Sequence, residues 1–441
     1  MREIRLNAFE MATVGHIQHG MWRHPRDQSS RYAEIGYWTE LARLLERGLF
    51  DGVFLADVLG IYDVFGGGPE AALREAVQVP LIDPMLTIPA MAAVTEHLGF
   101  GVTCTTTYDP PALFARRMST LDALTGGRIG WNIVTGYLDS AARAMGLAGN
   151  VAHDERYDAA DEYLDTVYRL WERSWEDGAV LADRERGVFT DPTKVHRVSG
   201  VGRYAMEAIH LCAPSPQRTP LLYQAGASTR GRAFAATHAE CVFMNGTNRG
   251  QVASLVADLR GRASHPLRVF VGATLVIGRT DREAQDKLAD YRTYASVDGA
   301  LAHFSASTGM DFATFELDEP IRHQTTQANQ SNVEAITSRS ADVWTKRKLI
   351  DSFVLGSRHP PIVGSAATVA DALEAWVREA DVDGFNLSRT VTPECVADVV
   401  ELLVPELQRR GVYKTAYAAG TLREKLFGHA RLPAGHRGRV A

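Results

Sequence analysis

A histidine and a tyrosine, His153 and Tyr157, stand four residues apart at the start of a predicted helix over residues 154–175. Positions i and i+4 of a helix share one face, so the imidazole and the phenol reach the same end of the fold. Both are hydrogen-bonding groups, and together they can serve a ligand there. The alternative is a histidine that caps the helix and a tyrosine that fills the core.

A loop of small residues, 225–231, joins a predicted strand over 220–227 to a helix over 228–238. Small residues let a ligand approach the backbone, and Ser228 can cap the helix. The first free N–H groups of a helix can hold a phosphate, and Arg230 adds positive charge. The alternative is a plain helix cap without a ligand.

The stretch over residues 126–135 has a polar end. Its glycine pair closes a predicted helix over 111–124, and the Ile, Trp and Val that follow favour a strand. Asn132 and Thr135 then bring an amide and a hydroxyl to the end of that strand, which faces the active site in a parallel barrel. The alternative is an ordinary buried strand with a polar exit.

Two further strands also end in polar groups. A predicted strand over 51–57 ends at Asp57, where a carboxylate is usually not needed for packing. On a strand over 100–107, Thr103, Thr105 and Thr107 alternate, which lines one strand face with hydroxyls.

Metal and nucleotide motifs are weak. His16, His19 and His24 lie within nine residues, but no carboxylate or thiol stands among them, so we expect no metal site and interpret the loop as pocket lining. Residues 200–205 fit G-x-G-x-x-A by letter but follow a polar stretch instead of a buried strand. There is no Walker A, HExxH or GxSxG motif, so we expect neither an NAD(P)H site nor a hydrolytic nucleophile.

Predicted strands and helices alternate eight times, which indicates an α/β chain folded as a (β/α)8 TIM barrel. The rhythm breaks at two predicted insertions, 176–216 and 297–366, and a C-terminal extension follows over 411–441. We therefore expect a single domain over 1–441. A doubly wound sheet is the structural alternative, but no glycine-rich fingerprint follows the first strand.

Composition excludes several classes of protein. The net charge of −6 and the absence of a basic block give no indication of nucleic-acid binding. Four cysteines lie far apart with no CxxC spacing, which is typical of reduced thiols. There is no apolar signal region and no run of about 20 apolar residues that would span a membrane. We expect a cytoplasmic protein.

Several longer motifs resemble the bacterial luciferase-like flavin monooxygenases. More narrowly, they are similar to the subfamily of nitrilotriacetate monooxygenase, dibenzothiophene sulfone monooxygenase and pristinamycin IIA synthase. Within it the nitrilotriacetate branch is the expected nearest one, through residues 54–63. The other matching segments are 45–51, 91–99, 127–135, 153–158, 224–228 and 383–386.

The resemblance implies a TIM barrel that binds FMN in its reduced form, FMNH2, delivered by a separate NAD(P)H:flavin reductase. With O2 the flavin would form a C4a-(hydro)peroxide that oxidises a small organic substrate. A homo-oligomer, dimer or tetramer, is expected. His19 matches a pocket histidine of relatives and is our candidate catalytic residue. The resemblance places Ser228, Tyr157 and His153 at the flavin phosphate and ribityl chain, and Asp57, Thr103 and Asn132 nearer the ring. Thr135, at the polar end of the strand over 126–135, is expected as a further flavin contact.

Two questions stay open at this level. Arginines and histidines in the loops 16–26 and 322–323 would favour an anionic substrate, but solvated loops often carry such charge. A protein that binds flavin or F420 without oxygenating anything is the alternative function. Oxygen uptake with supplied reduced FMN separates the two.

Overall fold

The computed structural model describes residues 2–226, 228–246, 248–326, 328–338, 340, 342–355 and 360–440. Eight parallel strands form its centre. In chain order they are β1 Arg5–Met11, β2 Gly52–Ala56, β3 Gly99–Thr105, β4 Ile129–Val134, β5 Leu221–Gln224, β6 Cys241–Met244, β7 Arg268–Gly278 and β8 Gly384–Ser388.

The sheet closes on itself. Strand β1 pairs with β2 on one side and β8 on the other, so Asn7 lies opposite both Gly52 and Asn386. The rest of the ring continues from β2 through β8, each strand parallel to the next. This closed parallel barrel confirms the predicted (β/α)8 fold and excludes the doubly wound sheet.

Helices follow most strands. The predicted helix over 111–124 has those bounds, and Gly126 and Gly127, with φ of 64° and 82°, end it. Among the described residues, no helix has both the length and the apolar composition that a bilayer crossing requires. The α-helices are Ile35–Arg47, Glu70–Arg74, Ile88–Ala92, Pro111–Leu124, Asp139–Ala144, His153–Tyr168, Thr229–His238, Arg249–Arg262, Asp281–Tyr294, Val297–Thr308, Gln330–Ala335, Lys346–Phe353, Ala366–Ala380, Glu394–Asp398, Val404–Arg409, Leu422–Phe427 and Arg437–Val440.

The prediction of one helix over 84–98 is wrong in length, because the α-helix in this stretch is only Ile88–Ala92. The buried guanidinium of Arg128 explains the early end. It donates to the backbone carbonyls of Ala92 and Leu98, both at 3.1 Å. Carbonyls at a helix end need such partners, and here Arg128, which directly precedes β4, binds the carbonyl of the residue at which the helix ends.

Aromatic side chains fill the barrel interior because two strands present glycine to it. A Cβ on Gly101 would lie 3.0 Å from the Phe54 ring, and one on Gly130 would lie 2.4 Å from the Tyr223 ring. Glycine at these positions therefore makes room for large rings. The inner cluster includes Phe9, Phe54, Tyr223, Phe243 and Phe270.

The C-terminal segment closes the end of the barrel where the strands begin. Leu422 and Leu426 pack into the inner cluster. Arg423 is fully buried beside them, and its Nε donates to Glu240 Oε1 at 2.7 Å. The segment predicted as an extension, 411–441, thus contributes to the core.

The first predicted insertion, 176–216, contains two short antiparallel pairs. Val180–Asp183 pairs with Val188–Thr190, and Val198–Ser199 pairs with Glu207–Ala208. These pairs lie outside the barrel sheet. The interruption of the strand and helix rhythm therefore corresponds to added hairpins.

The second predicted insertion, 297–366, is more ordered than a polar loop. It begins with the helix Val297–Thr308 and ends with a ninth parallel strand, Ile362–Ser365, which pairs with Leu275–Gly278 of β7. That pairing extends β7 beyond the barrel ring. The single domain over 1–441 stays a prediction.

Candidate functional site

A cavity of about 610 Å³ lies at the end of the barrel where β4, β5 and β6 finish. The second insertion contributes Phe304, Ile336 and Trp344 to its wall. In (β/α)8 enzymes this end of the barrel carries the active site. Of the residues singled out from the sequence, this cavity is lined by Thr135, His153 and Tyr157.

Two hydroxyls meet at one corner of the cavity. Ser228 caps the helix Thr229–His238, and its Oγ accepts from the Gly231 N–H at 3.0 Å. A Cβ on Gly231 would lie 2.9 Å from both Ser228 Oγ and Tyr157 Oη, so the missing side chain leaves space for both hydroxyls. Burial raises the pKa of the Tyr157 phenol, which therefore keeps its proton and can donate to an anion. We call Tyr157, Ser228 and Gly231 the hydroxyl corner; Ala227 lies outside the described residues.

Arg230 does not add a free positive charge to this corner, contrary to the sequence interpretation. Its guanidinium pairs with Asp158 at 2.9 Å and with Asp161 at 2.6 Å. It also lies over the Tyr157 ring, 5.5 Å from the centroid. Because two carboxylates neutralise its charge, Arg230 offers no free cation to a phosphate. Its contact with the ring supports the position of Tyr157.

His153 stands at the rim of the same corner. Its Nδ1 lies 2.7 Å from Asp154 Oδ1, and its ring packs edge-on against Tyr157 with centroids 5.2 Å apart. The helical spacing of four residues therefore does bring the two rings together, as predicted.

Asn132 leaves one side-chain atom unsatisfied. Its Nδ2 donates to Thr103 Oγ1 at 2.9 Å, but its Oδ1 is buried and has no hydrogen-bond partner among the described residues. The same holds for Gln224 Oε1 at the end of β5. A buried acceptor without a partner costs about 1–3 kcal/mol, and because Gln224 lines the 610 Å³ cavity, a ligand there can supply the missing donor to its oxygen.

The row of threonine hydroxyls is partly used by the chain itself. Thr105 Oγ1 donates to Thr107 Oγ1 at 3.1 Å, and Thr107 Oγ1 donates to the Thr135 carbonyl at 2.8 Å. These bonds fix the backbone at the end of β4. Thr103, which bonds Asn132, is the member of the row that reaches the amide.

Asp57 lies in a second cavity. This space of about 880 Å³ extends along the helix Pro111–Leu124, and Thr103 also lines it. Burial and the neighbouring Asp83 raise the pKa of the Asp57 carboxyl to about 7. Tyr137 lines both cavities. The structure thus separates Asp57 and Thr103 from the hydroxyl corner and places Tyr137 between them.

His19 lines a small cleft and neither of the two large cavities. Its Nε2 lies 2.9 Å from Nδ1 of His303 in the second insertion. Burial, together with the positive charge of Arg389, holds the pKa of His19 down to about 3. His19 is therefore a neutral imidazole at physiological pH.

Sequence reasoning missed four polar residues near His19. Tyr62 Oη donates to Gln78 Oε1 at 2.6 Å and lies 2.7 Å from Tyr137 Oη, while its ring centroid is 5.4 Å from that of His303. These partners are 16 and 75 residues from Tyr62 in the chain, so no local spacing marks them. We call this group, with His19, the tyrosine–histidine cluster.

The three histidines of the loop after β1 diverge. His16 packs edge-on against Phe9 with centroids 4.6 Å apart, His24 pairs with Asp290, and His19 meets its partner in the insertion. In the part of the chain that the structure describes, no three His, Cys, Asp or Glu side chains converge as metal ligands. That no metal is required stays a prediction.

The family model for luciferase-like monooxygenases matches residues 17–384. The chain belongs to this family. It is 47% identical to the long-chain alkane monooxygenase of Geobacillus thermodenitrificans, over 99% of this chain and 97% of the relative. It is also 47% identical to the dimethyl-sulfide monooxygenase of Hyphomicrobium sulfonivorans, over 97% and 91%.

A solved structure of a riboflavin lyase with a modified FMN is similar too, with a TM-score of 0.92, 35% identity and 99% of each chain covered. The expectation that the nitrilotriacetate branch is nearest is wrong. Nitrilotriacetate monooxygenase component A of Aminobacter aminovorans is 34% identical, less than the two relatives at 47%. At that similarity across nearly its full length, the protein is a flavin-dependent monooxygenase.

Proposed function

We propose that this protein is the oxygenase of a two-component system. It binds FMNH2 supplied by a separate NAD(P)H:flavin reductase and uses O2 to oxidise a small organic substrate. The hydroxyl corner carries the proposal, because Ser228 caps the N-terminus of a ten-residue helix beside the Tyr157 hydroxyl, and a helix N-terminus can bind a phosphate. FMN has a phosphate for this corner, and riboflavin does not.

The remaining flavin contacts are proposed from the family resemblance, with Asp57 and Thr103 in the neighbouring cavity that shares Tyr137 with this one. Tyr157, Ser228 and His153 would hold the phosphate and ribityl chain. Asn132, whose Oδ1 has no partner in the described chain, would bond the ring together with Thr103, Asp57 and Thr135. Gln224 Oε1 offers another acceptor beside the corner.

Bound reduced flavin supplies the electrons that activate O2, and the chain supplies the surroundings. Phe304, Ile336 and Trp344 wall the cavity with apolar surface, which excludes water from the reacting centre. Tyr137 presents a hydroxyl between the two cavities; because Tyr62 donates to Gln78, Tyr137 donates to Tyr62, and its oxygen can accept a hydrogen bond from substrate. His19 contributes a neutral imidazole that orients the ring of His303.

The surroundings of Gly200 and Gly202, the two glycines of the G-x-G-x-x-A match, support a separate reductase, because they give no reason to expect a nucleotide site in this chain. A Cβ on Gly200 would lie 1.9 Å from the Tyr204 carbonyl oxygen, and one on Gly202 would lie 2.4 Å from the Glu162 carboxylate. Protein atoms thus exclude a side chain at both positions, so close packing within the chain accounts for these glycines without a nucleotide.

The purified chain with FMN and NADH should consume no oxygen until an unrelated flavin reductase is added. Oxygen uptake and peroxide should then appear, since reduced FMN meets O2 in the site. Free FMN with the reductase alone, at the same flux, is the control for reaction in solution. NADH oxidation by the chain alone would contradict the need for a partner. Flavin binding without any change in oxygen chemistry would favour the non-oxygenase alternative.

We also propose a homo-oligomer, in which a second copy covers the apolar outer side of the larger cavity. Leu86, Leu113 and Leu124 line that side and are 77%, 40% and 65% exposed. Exposed leucines grouped in this way are typical of an interface. Sedimentation of the wild type and of Leu113→Glu measures the assembly state.

The proposed location is the cytoplasm. All four cysteines are free, and burial raises the pKa of the Cys241 thiol, which keeps it unreactive. Free thiols fit a reducing compartment.

A further inference from the structure

We propose that the site accepts an uncharged substrate and discriminates against a carboxylate. This inference rests on the proposed function, because it takes the hydroxyl corner as the seat of the flavin phosphate. It reverses the preference for anions that the arginines and histidines of the loops 16–26 and 322–323 favoured. The structure directs those charges elsewhere.

The cations of the loop after β1 face an outer helix. His24 Nε2 lies 2.9 Å from Asp290 Oδ2, and Arg26 pairs with Asp290 and Glu394. Arg23 donates to two backbone carbonyls. Among the described lining residues of the two large cavities, none comes from 16–26. This loop therefore gives a bound anion no counter-charge.

The second loop offers no cation to the cavities either. Arg322 and His323 are exposed, and His323 Nδ1 lies 3.1 Å from Thr337 Oγ1. Neither residue lines the 610 Å³ cavity or the 880 Å³ cavity.

Among the described residues, the wall that the second insertion provides is neutral. Phe304, Ile336 and Trp344 are apolar, and Asn329 and Asn332 add amides that can donate and accept hydrogen bonds. Such a wall fits an apolar molecule with at most an uncharged polar group. A carboxylate placed there would lose its hydration without gaining a cation.

Acidic groups oppose an anion on the other side. Asp57 and Asp83 line the larger cavity together with Asp109, Arg116 and Arg117, and Arg117 is already paired with Asp109 at 3.0 Å. The imidazole of His19 cannot compensate, because burial keeps it neutral. Three carboxylates and two guanidiniums therefore leave the lining of the larger cavity slightly acidic, which disfavours negative charge there.

Arg156 is the described guanidinium on the wall of the 610 Å³ cavity. It precedes Tyr157 on the same helix, and its Nη1 donates to the Val151 carbonyl at 2.9 Å. In the proposed function its positive charge lies beside the FMN phosphate. The part of the cavity under the insertion is then left without a cation among the described residues.

The test titrates the FMN-loaded protein at pH 8 with two matched probes, octanamide and octanoate. The visible absorbance of bound FMN reports the binding of each probe. Octanamide should bind at least about 10-fold tighter, since a charge without a counter-charge is costly in this environment. Asn332→Lys should raise octanoate affinity about 10-fold or more and leave octanamide nearly unchanged. Asn332→Gln is the matched control and should preserve the wild-type ratio.

Equal or tighter binding of octanoate by the wild type would overturn the inference. Binding of neither probe would overturn it too, because the apolar wall must hold the hydrocarbon chain. A protein that fails to bind FMN contradicts the proposed function itself, and the FMN titration that precedes the probes shows this separately.

Discussion

The two ends of the barrel bury polar side chains in opposite ways. Where the strands begin, Arg423 donates to Glu240 and to the Thr219 carbonyl, all within the chain. Where the strands finish, Asn132 Oδ1 and Gln224 Oε1 have no partner among the described residues. The buried pair of Arg423 and Glu240 is thus satisfied within the chain, whereas these two buried acceptors at the other end are left open.

The difference separates stability from binding. A polar group paired within the chain maintains the fold, and losing its partner leaves a buried charge that destabilises the native state. An acceptor left open by the chain is available to a ligand, and losing it weakens binding instead. Substitutions at the two ends should therefore affect different measurements.

The largest effect is expected at the closed end. Arg423→Ala leaves Glu240 buried without its ion pair, which should lower the free energy of unfolding by about 3–5 kcal/mol. Urea denaturation measures this, and the FMN affinity of the folded fraction should stay unchanged. Arg437→Ala is the control, because Arg437 pairs with Asp165 at the surface and should cost at most about 1 kcal/mol. Equal losses for both variants would contradict the comparison.

At the open end, Tyr157→Phe and Ser228→Ala should each weaken FMN binding. Losing one hydrogen bond to a charged group costs about 1.5–3 kcal/mol, or roughly 10- to 150-fold in affinity. The loss should be much smaller for riboflavin, which lacks the phosphate. The free energy of unfolding should change by only about 1 kcal/mol, which is what a helix cap contributes. Titrations of both flavins decide this; equal losses would show that these hydroxyls do not contact the phosphate.

The smallest effect is expected in the tyrosine–histidine cluster. Tyr137→Phe removes the hydroxyl 2.7 Å from Tyr62 Oη and should lower product formed per O2 by roughly 2- to 12-fold, the value of one neutral hydrogen bond. Peroxide release should rise accordingly. Tyr204→Phe is the matched control, since the Tyr204 hydroxyl donates to the Thr106 carbonyl at 3.3 Å and the residue lines neither large cavity. Unchanged coupling in Tyr137→Phe would exclude that hydroxyl from the reaction.

Local features were predictable because their partners lie within a few residues. The helix Pro111–Leu124 and the glycines that end it depend on backbone preferences alone. Ser228 caps its helix through a bond to Gly231, three residues away. The ring contact of His153 with Tyr157 follows from helical spacing.

Features that depend on distant partners were mispredicted or missed. Arg230 was expected to attract a phosphate, but Asp158 and Asp161, 72 and 69 residues away, take its charge. A helix over 84–98 was predicted, but the α-helix ends at Ala92, whose carbonyl accepts a hydrogen bond from Arg128, 36 residues away. Composition cannot show which charges a fold brings together.

The sequence by itself determined the order of strands and helices, the barrel and the family, because periodicity and motifs are written along the chain. It also determined the capped helix at which the phosphate is proposed to bind. Only the tertiary structure decided that His19 meets His303, 284 residues away, and that Tyr62 meets Tyr137. The physical reason is that a buried hydrogen bond needs two loops to fold over the same barrel end, and no local rule fixes which loops do so.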